Sequence, residues 1–196
     1  DSKARDHKHN RVFIVWESSC DYGFTDFGAR IAKGEFCFDS INYVTEKDSK
    51  VNFDLLLTYL NSKILDWYFR ILSTNSTINE YQFNVLPAPL LVEVERCVSW
   101  KPLLDACRWE ELEELLKGLC NEKGEIPKPV AQALIAMSQR IQEIEANRVL
   151  KRRAERSNLA PESQTIQDVI DAVLFRCYGL SDDDARYVEQ RLKEML

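Results

Sequence analysis

The densest run of small hydrogen-bonding side chains lies between positions 73 and 81, directly after a long apolar segment. It contains Thr74, Asn75, Ser76, Thr77 and Asn79. Hydroxyl and amide groups both donate and accept hydrogen bonds, and an asparagine can pair bidentately with the exposed edge of adenine. The alternative is a helix-terminating turn in which these side chains bond only to nearby backbone. The residues themselves leave both alternatives open.

Two groups of basic side chains could contact phosphate. Arg30 and Lys33 follow a Ser-, Asp- and Gly-rich loop, and Lys151, Arg152 and Arg153 form the one dense basic cluster. A local basic face can bind phosphate even in a chain whose formal net charge is −6. Solvation is the ordinary alternative for Arg30 and Lys33. A helix end with favourable dipole interactions is the alternative for the cluster.

The sequence lacks the motifs of common catalytic sites. It has no G-x-S-x-G, H-E-x-x-H, Walker A or dinucleotide-binding fingerprint. Both histidines, His7 and His9, lie near the start of the chain, where we expect neither a histidine general base nor a zinc site. The six cysteines are irregularly spaced, so we expect reduced thiols and no disulfide scaffold. We therefore do not expect this chain to be an enzyme on its own.

The composition of the 196 residues is that of a globular protein. Hydrophobic residues make up 45% and charged residues 30%, which is enough apolar material for a core. No apolar run approaches the ~18 residues that a membrane span needs. The first ten residues are polar, unlike a signal peptide. We expect a cytoplasmic chain with no membrane partner.

The first half of the chain, 1–95, combines short β-type runs with one strongly apolar helical segment. β-Branched and aromatic runs at 11–17, 29–33 and 36–45 predict strands, and Asn52 is a suitable N-cap for a buried helix over 54–72. The aromatic residues of this helix lie at helical spacing, which favours the core over a base-stacking surface. They are Tyr59, Trp67, Tyr68 and Phe69. We predict a small mixed β-sheet platform with a long buried helix.

The second half, 96–196, has an all-helical pattern. An acidic helix at 110–117 precedes a long helix from Val130, and two further helices follow over 164–178 and from Ser181, with Gly179 as a C-cap. The long helix carries apolar residues at alternating steps of four and three. They are Val130, Leu134, Met137, Ile141 and Ile144. We prefer an antiparallel helical hairpin or bundle to an intermolecular coiled coil. The fold class is therefore α+β, with a helical C-terminal region.

Several short segments carry a family resemblance when taken in order. They are G-E-F-C-F-D-S-I-N-Y-V-T from Gly34, L-L-L-T-Y-L-N-S-K-I-L-D-W-Y-F-R from Leu55, T-N-S from Thr74, N-E-Y-Q-F from Asn79, L-P-A-P from Leu86 and I-D-A-V-L-F-R-C-Y-G-L-S from Ile170. This order resembles the TaqI-like C-terminal specificity domain. That domain follows the methyltransferase domain in type II restriction-modification proteins, including fused type IIG enzymes and related phage-defence methyltransferases.

The resemblance implies a target-recognition domain that binds double-stranded DNA. It implies contacts from the polar loop at 73–81, and it makes the two basic groups candidates for phosphate. The family's N-P-P-Y tetrad and glycine-rich S-adenosylmethionine loop are missing, and the chain has no initiator Met. We therefore expect a C-terminal fragment that holds no cofactor, with the S-adenosylmethionine-dependent methyltransferase, with or without a nuclease, upstream in the same protein.

A helical protein-interaction module that does not bind DNA is the alternative function. Three features favour it: the net negative charge, the acidic helix at 110–117 and the apolar seam that begins at Val130. In that case the acidic helix and the seam would contact a protein partner.

Overall fold

A computed structural model describes residues 11–14, 28–31, 42–45, 52–72, 90–94, 98–121, 123–147 and 159–195. The elements within these ranges are β1 (Arg11–Ile14), β2 (Gly28–Ile31), β3 (Asn42–Thr45), α1 (Phe53–Leu60), α2 (Lys63–Leu72), β4 (Leu90–Val92), α3 (Lys101–Asp105), α4 (Trp109–Lys117), β5 (Glu125–Pro127), α5 (Lys128–Ala146), α6 (Pro161–Cys177) and α7 (Asp182–Met195). The protein is mostly helical with small sheets. The α+β class and the helical C-terminal region are therefore confirmed.

The described strands form two small sheets. β1 lies between β2 and β3 and pairs with both in antiparallel fashion, so that Val12 is opposite Arg30 on one side and Val44 on the other. β4 and β5 pair in parallel, with Leu91 opposite Ile126. This second pair joins the two predicted halves of the chain. The boundary near residue 95 stays a prediction, as does the part of the predicted strand at 36–45 that precedes Asn42 and lies outside the described residues.

The expectation of one long helix over 54–72 is wrong, because two helices occupy this segment. α1 ends at Leu60 and α2 begins at Lys63. The Ser62 hydroxyl donates a 2.6 Å hydrogen bond to the Tyr59 carbonyl and accepts one of 3.4 Å from the Leu65 amide. A serine that bonds to backbone on both sides competes with a continuous helix. Both helices are nevertheless buried, as the apolar pattern predicts.

The predicted capping residues are confirmed at three helix ends. The Asn52 side chain accepts hydrogen bonds of 2.9 and 3.2 Å from two amides in the first turn of α1. Gly179 has a φ of +72° and follows α6 in the left-handed conformation of a C-terminal cap. The Ser181 hydroxyl accepts a 3.2 Å bond from the Asp184 amide, and the Asp184 carboxylate accepts a 2.9 Å bond from the Ser181 amide. These caps set the limits of α1, α6 and α7.

α5 and α6 form the antiparallel hairpin that the sequence predicts. At one end the Ala160 amide donates a 2.8 Å hydrogen bond to Glu145, and at the other the Gly124 amide donates a 2.9 Å bond to the Cys177 carbonyl. The apolar seam of α5 is used inside this hairpin and its neighbours, where Leu134 and Met137 are fully buried. The predicted antiparallel hairpin is confirmed.

The main core lies between α4, α5 and α6. Its largest fully buried side chains are Leu112, Leu116, Ile126, Leu134, Met137, Ile166, Ile170 and Leu174. α1 adds Leu55 to this core, whereas α2 and α7 pack around Phe175 in a second cluster that includes Trp67 and Val188. α1 and α2 are therefore supported by the C-terminal helices.

Candidate nucleic-acid interface

The first residue of α2 is fixed to two other helices. The Lys63 amide donates a 2.8 Å hydrogen bond to Asp171 Oδ1 in α6. The Lys63 ammonium lies 2.9 Å from Asp168 of α6, 2.8 Å from Glu189 of α7 and 3.8 Å from Asp171 Oδ2. A carboxylate at a helix N-terminus also interacts favourably with the helix dipole. α2 is thus held at its start by one carboxylate and by a cluster of ion pairs.

Asp171 is the buried centre of this arrangement. Its burial raises the pKa of the carboxyl to about 7, although the charge of Lys63 and the hydrogen bonds from the Lys63 amide and Gln167 act in the opposite direction. Asp171 Oδ2 receives no hydrogen bond within the described part of the chain. For Lys63, burial acts to lower the pKa, but its carboxylate partners raise it above the ordinary lysine value. Lys63 therefore remains a cation.

A second contact joins α1 to the end of α6. The rings of Tyr59 and Tyr178 are stacked, with centroids 6.3 Å apart and planes inclined by 24°. Burial raises the pKa of Tyr59 to about 12, so its hydroxyl stays protonated. Tyr178 comes directly after α6, next to the Gly179 cap. The resembling segments 55–70 and 170–181 therefore contact each other.

The aromatic residues of α1 and α2 belong mainly to the protein interior. Tyr59 and Phe69 are buried, which confirms the core interpretation for these two residues. Trp67 is half-buried and packs in the cluster around Phe175, and Tyr68 is half-buried as well. Tyr59 and Phe69 consequently offer no surface on which a base could stack.

The polar loop residues lie outside the described residues, in the segment that joins α2 to β4. They are Thr74, Asn75, Ser76, Thr77 and Asn79. The structure describes the residues on either side of this segment. α2 ends at Leu72, and the next described residue is Leu90. The segment that would read bases therefore begins directly after a helix that is anchored at Lys63.

Of the basic candidates, one lies within the described residues and the others lie outside them. Arg30 lies in β2, which is at the edge of the order β2-β1-β3 among the described strands. Lys33 lies outside the described residues, and so does the cluster Lys151, Arg152 and Arg153, which belongs to the connection between α5 and α6. Of the ten predicted site residues the structure describes Arg30 alone. It therefore shows no contact between any two of them.

Several cations on the described helices bind carboxylates of the same chain. Besides Lys63, these ion pairs are Arg70–Asp66, Arg108–Glu111, Lys117–Glu113, Lys128–Glu93, Arg140–Glu162, Arg186–Asp183 and Arg191–Glu194. A paired cation must lose its carboxylate partner, or share it, before it can neutralise a phosphate. These paired cations are therefore less suited to phosphate contacts than an unpaired cation would be.

A cleft of about 450 Å³ lies between α4, α6 and α7. Its charged lining includes both signs, with Lys117 and Arg186 on one hand and Asp168, Asp182 and Glu189 on the other. Such a mixed lining does not form the basic face that a nucleic-acid backbone requires. Across the described residues, no group of three or more His, Cys, Asp and Glu side chains could hold a metal ion.

Sequence reasoning missed the two residues that anchor α2. Lys63 is part of the L-N-S-K motif, and Asp171 follows Ile170 on the apolar face of α6. A carboxylate on an otherwise apolar helix face is the signal that could have identified Asp171, because buried acidic residues are nearly always paired. Nothing in the sequence indicates which cation, 108 positions away, is its partner.

No protein-family model, no curated protein and no solved structure matches this chain. None of the helices in the described ranges is long and apolar enough to cross a membrane. The likeness to the TaqI-like specificity domain therefore rests on the quoted sequence segments.

Proposed function

We propose that this chain is the target-recognition part of a type II restriction-modification protein that resembles the TaqI-like group. It would bind a short duplex DNA sequence and position a DNA adenine methyltransferase domain on it. The observation that supports this most strongly is the contact between the two resembling segments, through Lys63–Asp171 and Tyr59–Tyr178. Motif residues far apart in sequence thus serve one structural purpose, which is to hold the helix that precedes the polar loop.

In this proposal the helices form a support and the connecting segments contact DNA. Asn75 and Asn79 read adenine edges, with Thr74, Ser76 and Thr77 as smaller donors and acceptors beside them. The anchoring at Lys63 holds the helix from which this loop starts. Phosphate contacts from the basic groups then set the position of the protein on the duplex without reading its sequence.

Arg30 and Lys33 form one of these basic groups, and Lys151, Arg152 and Arg153 form the other. Methyl transfer and S-adenosylmethionine binding are assigned to an upstream domain of the same protein, because this chain lacks both motifs for them. The chain itself is assigned DNA recognition in the cytoplasm, as part of restriction-modification and phage defence.

The helical protein-interaction module is the less favoured function. Its main support was the apolar seam of α5, and the structure buries that seam: Val130, Leu134 and Met137 have no exposed surface. Ile141 and Ile144 pack against the same core. A partner helix could reach Val130, Leu134 and Met137 only after the helices packed around them separate.

Salt-dependent binding of a labelled duplex of mixed sequence tests the phosphate contacts. The variant Lys151→Ala/Arg152→Ala/Arg153→Ala removes the basic cluster. The variant Lys101→Ala/Lys123→Ala/Lys193→Ala removes the same charge from exposed positions elsewhere. We expect the cluster variant to reduce the slope of log K against log salt by about 3, since each phosphate contact contributes roughly 0.9. The matched control should leave the slope within about 1 of the wild-type value.

An equal reduction of the salt slope in the two triple variants would show that only the total charge of the chain matters. That result would contradict a dedicated phosphate-binding cluster. A wild-type chain that binds no duplex at low salt would contradict the DNA-binding proposal itself. Circular dichroism of all three proteins confirms that the substitutions leave the helices intact.

A further inference from the structure

Two cysteines that are distant in sequence meet at the ends of two core helices. Cys120 comes shortly after α4, and Cys177 is the last residue of α6. Their Sγ atoms are 3.1 Å apart although 57 positions separate the residues. Both are free thiols. The sulfur atoms would have to approach each other by about 1 Å to reach the ~2.05 Å of a disulfide bond.

The backbone on both sides of this pair is held by hydrogen bonds. The Cys120 amide donates to the Lys117 carbonyl at 3.1 Å, and the Cys177 carbonyl accepts from the Gly124 amide at 2.9 Å. The Cys120 thiol also lies 3.3 Å from the Leu116 carbonyl. The fold therefore brings the two sulfur atoms to 3.1 Å from each other by itself.

The two thiols differ in accessibility and acidity. Cys120 is partly exposed, whereas Cys177 has no exposed surface. The hydrogen bond between them, with a smaller contribution from the charge of Arg176, lowers the pKa of Cys120. The same hydrogen bond, together with burial, raises the pKa of Cys177. Cys120 is thus the thiol that meets solvent and ionises first, which are the two properties of a reactive cysteine.

We propose that Cys120 and Cys177 form an oxidation site, at which a small-molecule disulfide converts the pair into an intramolecular disulfide. The Cys120 thiolate attacks one sulfur of the external disulfide, whose S–S bond breaks and releases one thiolate. The Cys177 thiol then loses its proton and attacks the Cys120 sulfur of the mixed disulfide, which releases the second small thiol. In total, two protein thiols are oxidised by two electrons and one external disulfide is reduced to two thiols.

The new bond would join the C-terminal ends of α4 and α6. The Cys177 carbonyl also accepts a hydrogen bond from the amide of Gly124, the residue that precedes β5. The residue after Cys177, Tyr178, stacks on Tyr59 of α1. Oxidation would therefore tie together the point where α4, α6 and the β4–β5 pair meet, beside the contact with α1. The cross-link closes a long loop, so its main effect is to restrict the unfolded chain and raise thermal stability.

The test treats the folded full chain with oxidised glutathione, blocks remaining thiols, and maps disulfides by mass spectrometry of non-reduced peptides. We expect a Cys120–Cys177 linkage and an increase in Tm of about 5 to 10 °C, reversed by a dithiol reductant. Cys107→Ser should leave both results unchanged, since Cys107 is an exposed thiol elsewhere. Cys120→Ser should abolish both, and circular dichroism checks that this half-buried substitution leaves the fold intact.

Three results would overturn the proposal. One is a stable mixed disulfide of glutathione on Cys120 that Cys177 does not displace. Another is the Cys120–Cys177 linkage appearing only when oxidation is carried out in denaturing urea. The third is the same increase in Tm in Cys120→Ser, which would assign the effect to other cysteines.

Discussion

The carboxylate of Asp171 binds Lys63 at two points: Oδ1 accepts a 2.8 Å hydrogen bond from the backbone amide, and Oδ2 lies 3.8 Å from the ammonium. One side chain of α6 thereby fixes the position of α2 and the direction in which it starts. In the proposed function this contact matters because the base-reading loop follows α2.

Removing the Asp171 carboxylate should destabilise the fold. Asp171→Ala leaves the Lys63 amide without its acceptor, and we expect the free energy of unfolding to fall by about 2 to 3 kcal/mol. Asp171→Asn retains an acceptor oxygen and should lower the free energy of unfolding by less than Asp171→Ala does. Asp168→Ala is the control, because Asp168 is half-exposed and its ion pair with Lys63 should contribute less than about 1 kcal/mol. Urea unfolding measures the free energy of unfolding of the three variants. Equal decreases in Asp168→Ala and Asp171→Ala would contradict the anchoring role of Asp171.

The raised pKa of Asp171 also predicts a pH dependence. Folding raises this pKa from the ordinary 3.8 to about 7, so between these values the folded state binds the proton more tightly. The stabilisation from this group is therefore fully present below about pH 4 and is lost as the pH rises through about 7. Asp171→Asn cannot titrate, and its unfolding free energy should fall less steeply across this window than that of the wild type. Parallel curves for the two proteins would show that Asp171 titrates normally.

Because the seam of α5 is buried, shortening one of its side chains should strongly lower the free energy of unfolding and leave the oligomeric state unchanged. Leu134 is fully buried, and Leu134→Ala should lower the free energy of unfolding by about 2 to 5 kcal/mol. Gln132→Ala, at an exposed position of the same helix, should change it by less than about 0.5 kcal/mol. Sedimentation should give the same mass for both variants and the wild type. A wild-type oligomer that Leu134→Ala dissociates would instead support the protein-interaction alternative.

The cap of α6 predicts a specific requirement for glycine. Gly179 has a φ of +72°, so Gly179→Ala should cost about 1 kcal/mol of unfolding free energy. Gly118 follows α4 with a right-handed helical φ of −66°, and Gly118→Ala should be close to neutral. Thermal unfolding compares the two variants directly. A neutral Gly179→Ala would mean that the left-handed cap does not limit α6.

Local features of this fold could be predicted from the sequence, whereas contacts between distant residues could not. Asn52, Gly179 and Ser181 act on backbone within a few residues, so their types and positions predict the helix ends. The break at Ser62 was missed because the apolar periodicity of Leu57 and Leu65 continues across it.

The contacts on which the two proposals depend are set by tertiary structure. Lys63 meets Asp171, and Cys120 meets Cys177, only because α4, α6 and α2 pack together. No local pattern encodes such pairs. For the candidate site, the sequence indicated which residue types could read bases and bind phosphate. Of those, the structure describes Arg30 and the attachment points of the two loops, so the base and phosphate contacts stay predictions.

Base reading by the polar loop predicts a loss of affinity that depends on DNA sequence. Asn75→Ala and Asn79→Ala should each weaken binding to a recognised duplex about 10- to 100-fold, since a bidentate contact contributes roughly 1 to 3 kcal/mol. Binding to unrelated duplexes should stay unchanged. Asn147→Ala, at an exposed position after α5, is the matched control. Equal losses on recognised and unrelated duplexes would show that these asparagines do not read bases.

The most direct measurement of target recognition is enrichment of duplexes from a random pool by this chain, at low and at higher salt. We predict that one short common motif is recovered and that it persists when the salt concentration rises. Enrichment without a motif, lost at higher salt, would reduce the interaction to non-specific phosphate contact. No enrichment at either salt concentration would contradict DNA recognition by this chain.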